Sequence, residues 1–411
     1  MKNRNLLYLF VLIFIIACSK DDDHFSGSLG NLEIAQYDFI AGTSHRLPVY
    51  LKTTPEVMLD DQSVEVFLEN AVGNEIDRIG SLYDNGDVTY YNDDIAGDLV
   101  FSGFITLNVA EEGAYSIVAK AQTTSGQRIE SSPVEIHVYQ KAGFEGREMV
   151  EDVFEASEDI LQSYISSGRS MEASIQLTID DLKMNENISE VTRIPNSNYL
   201  EVLMANNRKS VIAIYDADNP IKGGKSSDRG TPKRRLGKVE EANVNILRDI
   251  NPFAPGNRNV LIYSPHESFF QDGAAVKNVF EEADCGEFKI DYVTGTNAGI
   301  DILNNLSDYG TIYISAHGVG GAILSTGEQI QSTHWGDNKF QALWGAEKVV
   351  PSNELTVDGQ EVVSGDHVWL ITYKWFDQNL SNLPNSMVFL NACQSTMTSR
   401  LSDAFLSAGA S

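Results

Sequence analysis

The sequence predicts a multidomain chain: an all-β sandwich followed by an α/β module with a mainly parallel sheet. Two observations carry this. Positions 29–140 hold short runs of alternating apolar and polar residues, separated by Gly, Asn and Asp turns. From about residue 258, short apolar strands alternate with helical stripes. The expected divisions are a leader over 1–17, an acidic tether over 18–28, the sandwich over 29–140, an intermediate α+β region over 141–257, and the α/β module over 258–411.

The 411 residues are 42% hydrophobic and 21% charged, a globular balance with enough apolar residues for more than one core. The formal net charge is −28, which repels phosphate backbones and argues against nucleic acid as a partner. The three cysteines, Cys18, Cys285 and Cys393, are too few for a disulfide framework.

The N-terminus reads as a secretory leader. Lys2 and Arg4 precede the apolar run Leu6–Ile16, shorter than the ~20 residues needed to span a bilayer. The run ends in Ile15-Ile16-Ala17-Cys18, followed by Ser19-Lys20-Asp21-Asp22-Asp23. This resembles the lipobox and surface-export signal of Bacteroidetes lipoproteins. The resemblance implies lipidation at Cys18, anchoring in the outer membrane and exposure on the cell surface. A cleaved leader in which Cys18 is incidental is the plainer alternative.

In the β module, alternation is clear in Ser63–Leu68, Tyr115–Ala121 and Val134–Tyr139. Asp84-Asn85-Gly86, Glu112-Gly113 and Ser125-Gly126 supply turns. The stretch Leu82–Asp87 with Asp93-Asp94, Gly97-Asp98 and Phe101-Ser102-Gly103 resembles an Ig-like module of bacterial surface proteins. Its clustered carboxylates suit a structural calcium ion, although Asn and Asp also make turns without metal, and the turn reading is preferred. His45 and His137 stand alone and read as structural.

Positions 143–168 predict a helix, with Val150, Val153, Phe154 and Leu161 on one face and Gly168 at its end. Strands are predicted at Ser174–Ile179, Tyr199–Met204 and Ser210–Tyr215. Positions 216–238 form a Gly-rich loop with Lys222, Lys225, Arg229, Lys233, Arg234, Arg235 and Lys238, a basic island in an acidic chain. It reads as a solvated linker, or as a site of proteolytic maturation.

The last region predicts strands at Asn259–Tyr263, Lys289–Val293 and Thr311–Ala316. Helix faces lie between them, at Val276, Val279, Phe280 and Ala283 and then at Ile302, Leu306 and Tyr309. The strand Thr311–Ala316 runs into His317-Gly318. After a long insertion with a strand at His367–Ile371, another strand-like run starting at Ser386 delivers Cys393 at its end. Functional groups in α/β sheets gather at the carboxyl ends of strands. An imidazole near a thiol can take its proton and expose the reactive thiolate.

Ser315-Ala316-His317-Gly318 and Asn391-Ala392-Cys393-Gln394-Ser395 look like the two blocks of clan CD cysteine peptidases, the group of caspases, gingipains, clostripain and legumains. The resemblance covers about residues 258–411. It implies a caspase-like domain with His317 and Cys393 as catalytic pair, backbone N–H groups of Gly318 and Cys393 as oxyanion hole, and a peptide or protein substrate. It implies no cofactor for the chemistry. The strands that usually follow the cysteine block have no counterpart before Ser411, so the domain is expected to be incomplete. Cys285 reads as structural, and His266, His334 and His367 lack metal-ligand spacing. Two alternatives share much of this pattern: a surface binding lipoprotein with a degenerate caspase-like domain, and a transpeptidase using the same thioester.

Overall fold

The computed structural model describes residues 29–410 except 56, 60–62, 218–254, 256, 268–271, 284–287, 381–382, 384–385 and 393–397. The leader, tether, most of the basic loop, and all three cysteines lie outside the described residues. The chain divides into two compact units, Met1–Val138 and Tyr139–Ser411.

Among the described residues the first unit has nine strands: β1 (Leu32–Ile34), β2 (Asp38–Ile40), β3 (Ser44–Lys52), β4 (Ser63–Asn70), β5 (Glu75–Tyr83), β6 (Val100–Asn108), β7 (Gly113–Gln122), β8 (Arg128–Glu130) and β9 (Val134–Tyr139). They form one sheet in the order β1-β3-β6-β5-β4-β7-β9-β2, with β8 on β7. Strands β1 and β2 end this path on opposite sides, yet only three residues separate them in sequence. Three residues reach across about 14 Å at most. A flat path of eight strands would be about 34 Å wide at ~4.8 Å per step. The sheet must therefore curl until its ends approach, which wraps one core. The inward residues of β3, Leu47, Val49 and Leu51, meet Val64, Val66 and Ile136 there. The all-β sandwich expected from the sequence takes the form of this single hydrogen-bonded path.

The second unit opens with the helix Gly143–Ser166. It buries Val150, Val153, Phe154 and Leu161, as the spacing predicts, and Gly168 follows it in the left-handed region at φ +78°. The stretch read as a strand at Ser174–Ile179 is instead helix, Met171–Leu182. Its β-branched residues suggested a strand. However, Ser174, Ile175, Thr178, Ile179 and Leu182 are the buried ones, a helical stripe, and Ser170 caps the N-terminus by accepting from the Ala173 N–H.

The remaining strands are β10 (Ile188–Arg193), β11 (Tyr199–Met204), β12 (Lys209–Asp216), β13 (Asn259–Ser264), β14 (Lys289–Thr294), β15 (Thr311–Ala316), β16 (Gly318–Val319), β17 (Ile323–Gln329), β18 (Val349–Asp358), β19 (Glu361–Thr372) and β20 (Met387–Ala392). They make two sheets. The larger has the order β10-β11-β12-β18-β19-β17-β16; the smaller is β14-β13-β15-β20.

This corrects the expected fold class. Among the described residues strand outweighs helix, and they form no caspase-like α/β domain with a mainly parallel sheet. In the seven-stranded sheet only β12–β18 is parallel. The physical reason lies in the connections. Strands β10 to β12 follow one another through short turns, and Gly359 (φ +61°) closes the β18–β19 hairpin. Such turns join antiparallel neighbours, whereas a parallel step needs a crossover of a dozen or more residues. The apolar strands read from the sequence, β13, β14, β15 and β20, are parallel, but they form only the smaller sheet. Strand β18 escaped the sequence reading, and its pairing with β12 carries the larger sheet across position 257.

Among the described residues no helix is long and apolar enough to cross a membrane.

Candidate functional site

Because β13, β15 and β20 are parallel, their carboxyl ends share one side of the small sheet. Strand β15 pairs with β20 so that Ser315 faces Asn391 and Ala316 faces Ala392. The next residue in each chain direction is His317 and Cys393. Cys393 lies outside the described residues, but both flanks of 393–397 are anchored. Ala392 is held by the β15 ladder, and the Thr398 hydroxyl donates to the carbonyls of Gly320 (3.2 Å) and Gly321 (3.1 Å). Gly321, at φ +66°, permits this approach: a Cβ there would sit 2.6 Å from the Thr398 nitrogen.

His317 is 8% exposed and its ring lies against two other rings. The His266 ring is 4.6 Å away and the Tyr215 ring 5.0 Å, centre to centre. Its backbone N–H donates to the Ser325 Oγ (3.0 Å), and its carbonyl accepts from the Ser325 N–H (2.8 Å). Ser325 Oγ also lies 2.8 Å from His266 Nε2. Since that oxygen accepts from His317, its own proton is available to a neutral His266. Strand β17, which carries Ser325, is fixed by Thr326, whose buried hydroxyl donates to the Trp369 carbonyl (2.6 Å). Trp335, Trp344 and Trp369 pack together behind it, at ring separations of 5.6–6.3 Å.

Burial makes the imidazolium form costly. It pushes His317 down to about 3, with repulsion from His266 adding to the effect. Burial likewise lowers His266 to about 4, against a weaker pull from Asp366. Both rings are therefore neutral bases at pH 7. Glu354, on β18, moves the other way. Burial and then repulsion from Asp366 push it up to about 7, while a hydrogen bond from Tyr215 opposes the rise. Tyr215 in turn shares a hydrogen bond of 2.9 Å with Tyr199.

Of the residues expected from the sequence, His317 sits at the end of β15 as predicted. Gly318 opens β16, is buried, and pairs with Leu324. Cys18 and Cys393 lie outside the described residues. The sequence reading missed His266, Tyr215, Ser325 and Glu354. His266 was legible by the rule that found His317, because it follows the strand β13 by two residues. The other three come from the larger sheet, whose approach to His317 no local pattern reveals.

In the first unit, oxygens of Asp84, Asp93 and Asp98 lie within 4.8 Å of one another. The backbone engages each carboxylate. Buried Asp93 accepts from Asn85 and Gly86, Asp84 from Gly97 and Leu99, and Asp98 from Val100. These are the bonds of a turn-rich loop, and the same three carboxylates offer the kind of oxygen donors a calcium ion takes.

No family model matches the chain, and no curated relative does. Among solved structures, the Lin-41 filamin domain is 14% identical, with 28% of this chain and 98% of that chain covered and a TM-score of 0.17. The fibronectin(III)-like modules of Clostridium thermocellum CbhA are 21% identical, with 26% and 46% covered and a TM-score of 0.17. Astrotactin-2, a vertebrate perforin-like membrane protein, is 11% identical, with 39% and 29% covered and a TM-score of 0.20. These scores are too low to carry an argument about fold or function.

Proposed function

We propose that this chain is a cysteine endopeptidase that cleaves peptide bonds with His317 and Cys393. One observation supports it above the others: β15 and β20 are parallel neighbours with Ala316 opposite Ala392, and His317 and Cys393 follow them in sequence. In this reading Cys393 Sγ attacks the scissile carbonyl as His317 takes the thiol proton. The neutral state that burial imposes on His317 suits this role as base. The tetrahedral oxyanion is held by the N–H groups of Gly318 and Cys393. His317 then gives its proton to the leaving amine, and the acyl group stays on sulfur as a thioester. A water molecule, deprotonated by His317, releases the acid and returns the thiol.

The substrate is a protein or peptide. The chain is held at the outer membrane surface by lipid on Cys18, and it does not engage nucleic acid. The chemistry needs no cofactor; a calcium ion, held by Asp84, Asp93 and Asp98, would serve structure alone.

One observation favours a non-catalytic binding lipoprotein instead: His317 is 8% exposed and lies against two aromatic rings, the setting of a packed core histidine. Incubation of the wild-type chain and of Cys393→Ala with a complex peptide library, read by mass spectrometry, separates the two. Cleavage by the wild type alone supports the peptidase; equal patterns or no cleavage favour binding.

A further inference from the structure

A cavity of about 280 Å³ opens beside the hairpin that follows His317. Three cations line it, Lys209, Lys374 and Arg400, against two carboxylates, Glu201 and Glu347. A net positive lining stands out in a chain whose formal charge is −28. Four of these groups neutralise one another. Lys209 lies 3.3 Å from Glu201 and 3.4 Å from Glu347, and Lys374 lies 2.6 Å from Glu347. Burial resists charge on Glu347, but Lys374 and Lys209 outweigh it and hold the carboxyl below its ordinary value. Arg400 is the remaining charge. Among the described residues it has no ion pair, and its guanidinium lies over the Tyr373 ring at 4.9 Å. A ring against one face leaves the N–H edge available for a planar, bidentate anion. Ala322, Ile323 and Val350 give the cavity apolar wall for a short aliphatic stem.

Its position ties it to the candidate site. Ala322 and Ile323 lie just beyond Gly320 and Gly321, whose carbonyls accept from Thr398. Arg400 follows Thr398 by two residues, and the Leu401 N–H donates to the Gly321 carbonyl (3.3 Å). The cavity thus lies between the turn after His317 and the helix Arg400–Ser407.

We propose that this cavity is a subsite for a carboxylate on a peptide ligand, with Arg400 as its principal contact. The inference rests on the peptidase reading for its view that the ligand is a substrate. The carboxylate comes from an acidic side chain or from a free chain terminus, and both offer Arg400 the same planar pair of oxygens.

The test uses the full chain carrying Cys393→Ala, immobilised and offered a defined peptide pool. Peptides come in pairs that differ only as Glu or Gln at one internal position, each with a free or an amidated C-terminus. Retained peptides are counted by mass spectrometry. The acid member of a pair should be retained about tenfold over its neutral twin. Preference within the internal pairs identifies a side chain; preference confined to free termini identifies the chain end. Adding Arg400→Gln should bring the ratio to one, and adding Arg400→Lys should keep part of it, each with an unchanged thermal midpoint. Equal retention of acid and neutral peptides by the parent overturns the proposal, whatever the variants do. So does an undiminished preference in folded Arg400→Gln. Cleavage of the same pool by the chain that retains Cys393 is scored separately. Acid preference without cleavage would retire the peptidase reading and leave the subsite, and cleavage without acid preference would do the reverse.

Discussion

The acidic loop of the first unit and the histidine cluster of the second are both dense in titratable groups, yet they are built differently. Asp84, Asp93 and Asp98 answer to backbone N–H groups near in sequence. His317 and Ser325 meet His266 from a distant part of the chain, and the three answer mainly to one another, while Glu354 on β18 answers to Tyr215 and Asp366. The first arrangement shapes a loop. The second holds side chains away from their ordinary protonation, as catalytic sites do and as some buried structural networks also do. Burial alone does not separate these cases, since Asp93 is as buried as anything in the cluster. What separates them is whether local backbone satisfies the group.

The largest way to break this comparison is His317→Ala. A lost general base is expected to lower cleavage roughly 10²–10⁴-fold. Peptide turnover followed by mass spectrometry checks this, and unchanged turnover would make His317 a packing residue. Next comes Ser325→Ala, which strips the acceptor from the His317 N–H inside a buried network. It should cost about 1–3 kcal/mol in denaturant unfolding of the second unit and lower kcat more than it raises KM. A stability loss with kinetics intact would place Ser325 in the scaffold only.

Asp93→Ala leaves two N–H groups of the loop without their acceptor. It should lower the first unit's stability by about 1–3 kcal/mol, with the second unit's transition unmoved. The loss should be the same with and without added calcium if backbone alone holds the loop. A calcium-dependent rise in the wild type that the variant lacks would make these carboxylates a metal site.

The smallest effect is on pH. His317 and His266 have folded values below their unfolded ones, so the unfolded chain gains protons first. Their stabilisation is complete above about pH 6.5 and is lost as pH falls towards 4. Glu354, raised to about 7, works against them, because between pH 4.5 and 7 the folded form holds the extra proton. Two histidines against one carboxyl leave roughly one proton net, about 1.4 kcal/mol per pH unit near pH 5.5. Glu354→Gln should therefore steepen the acid loss of the second unit in unfolding curves from pH 7 to 5. An unchanged slope would show that Glu354 is ionised in the fold.

Much of the small sheet was legible because its strands are continuous apolar runs, Val260–Tyr263 and Ile312–Ala316 among them, which periodicity and flanking turns delimit. The larger sheet was not. Strand β18, Val349–Asp358, mixes Pro351, Ser352 and Asn353 with its apolar residues, and its parallel partner β12 lies more than 130 residues earlier. Nothing local announces such a pairing. The helix Met171–Leu182 was misread because Ile and Thr favour strands when neighbours are ignored. For the site, His317 was visible as a strand-end residue, and so in principle was His266. Tyr215 and Ser325 became partners of His317 only once two sheets of the same unit met.

The central claim is that His317 and Cys393 act as one catalytic pair. The most direct measurement compares the wild type, Cys393→Ala, His317→Ala and the double variant on one peptide library, with thermal midpoints measured alongside. The account predicts cleavage by the wild type and near-complete loss in each single variant. The double variant should be no worse than either, because members of one catalytic unit are not additive. Cleavage retained by folded Cys393→Ala, or losses that multiply independently in the double variant, would contradict it.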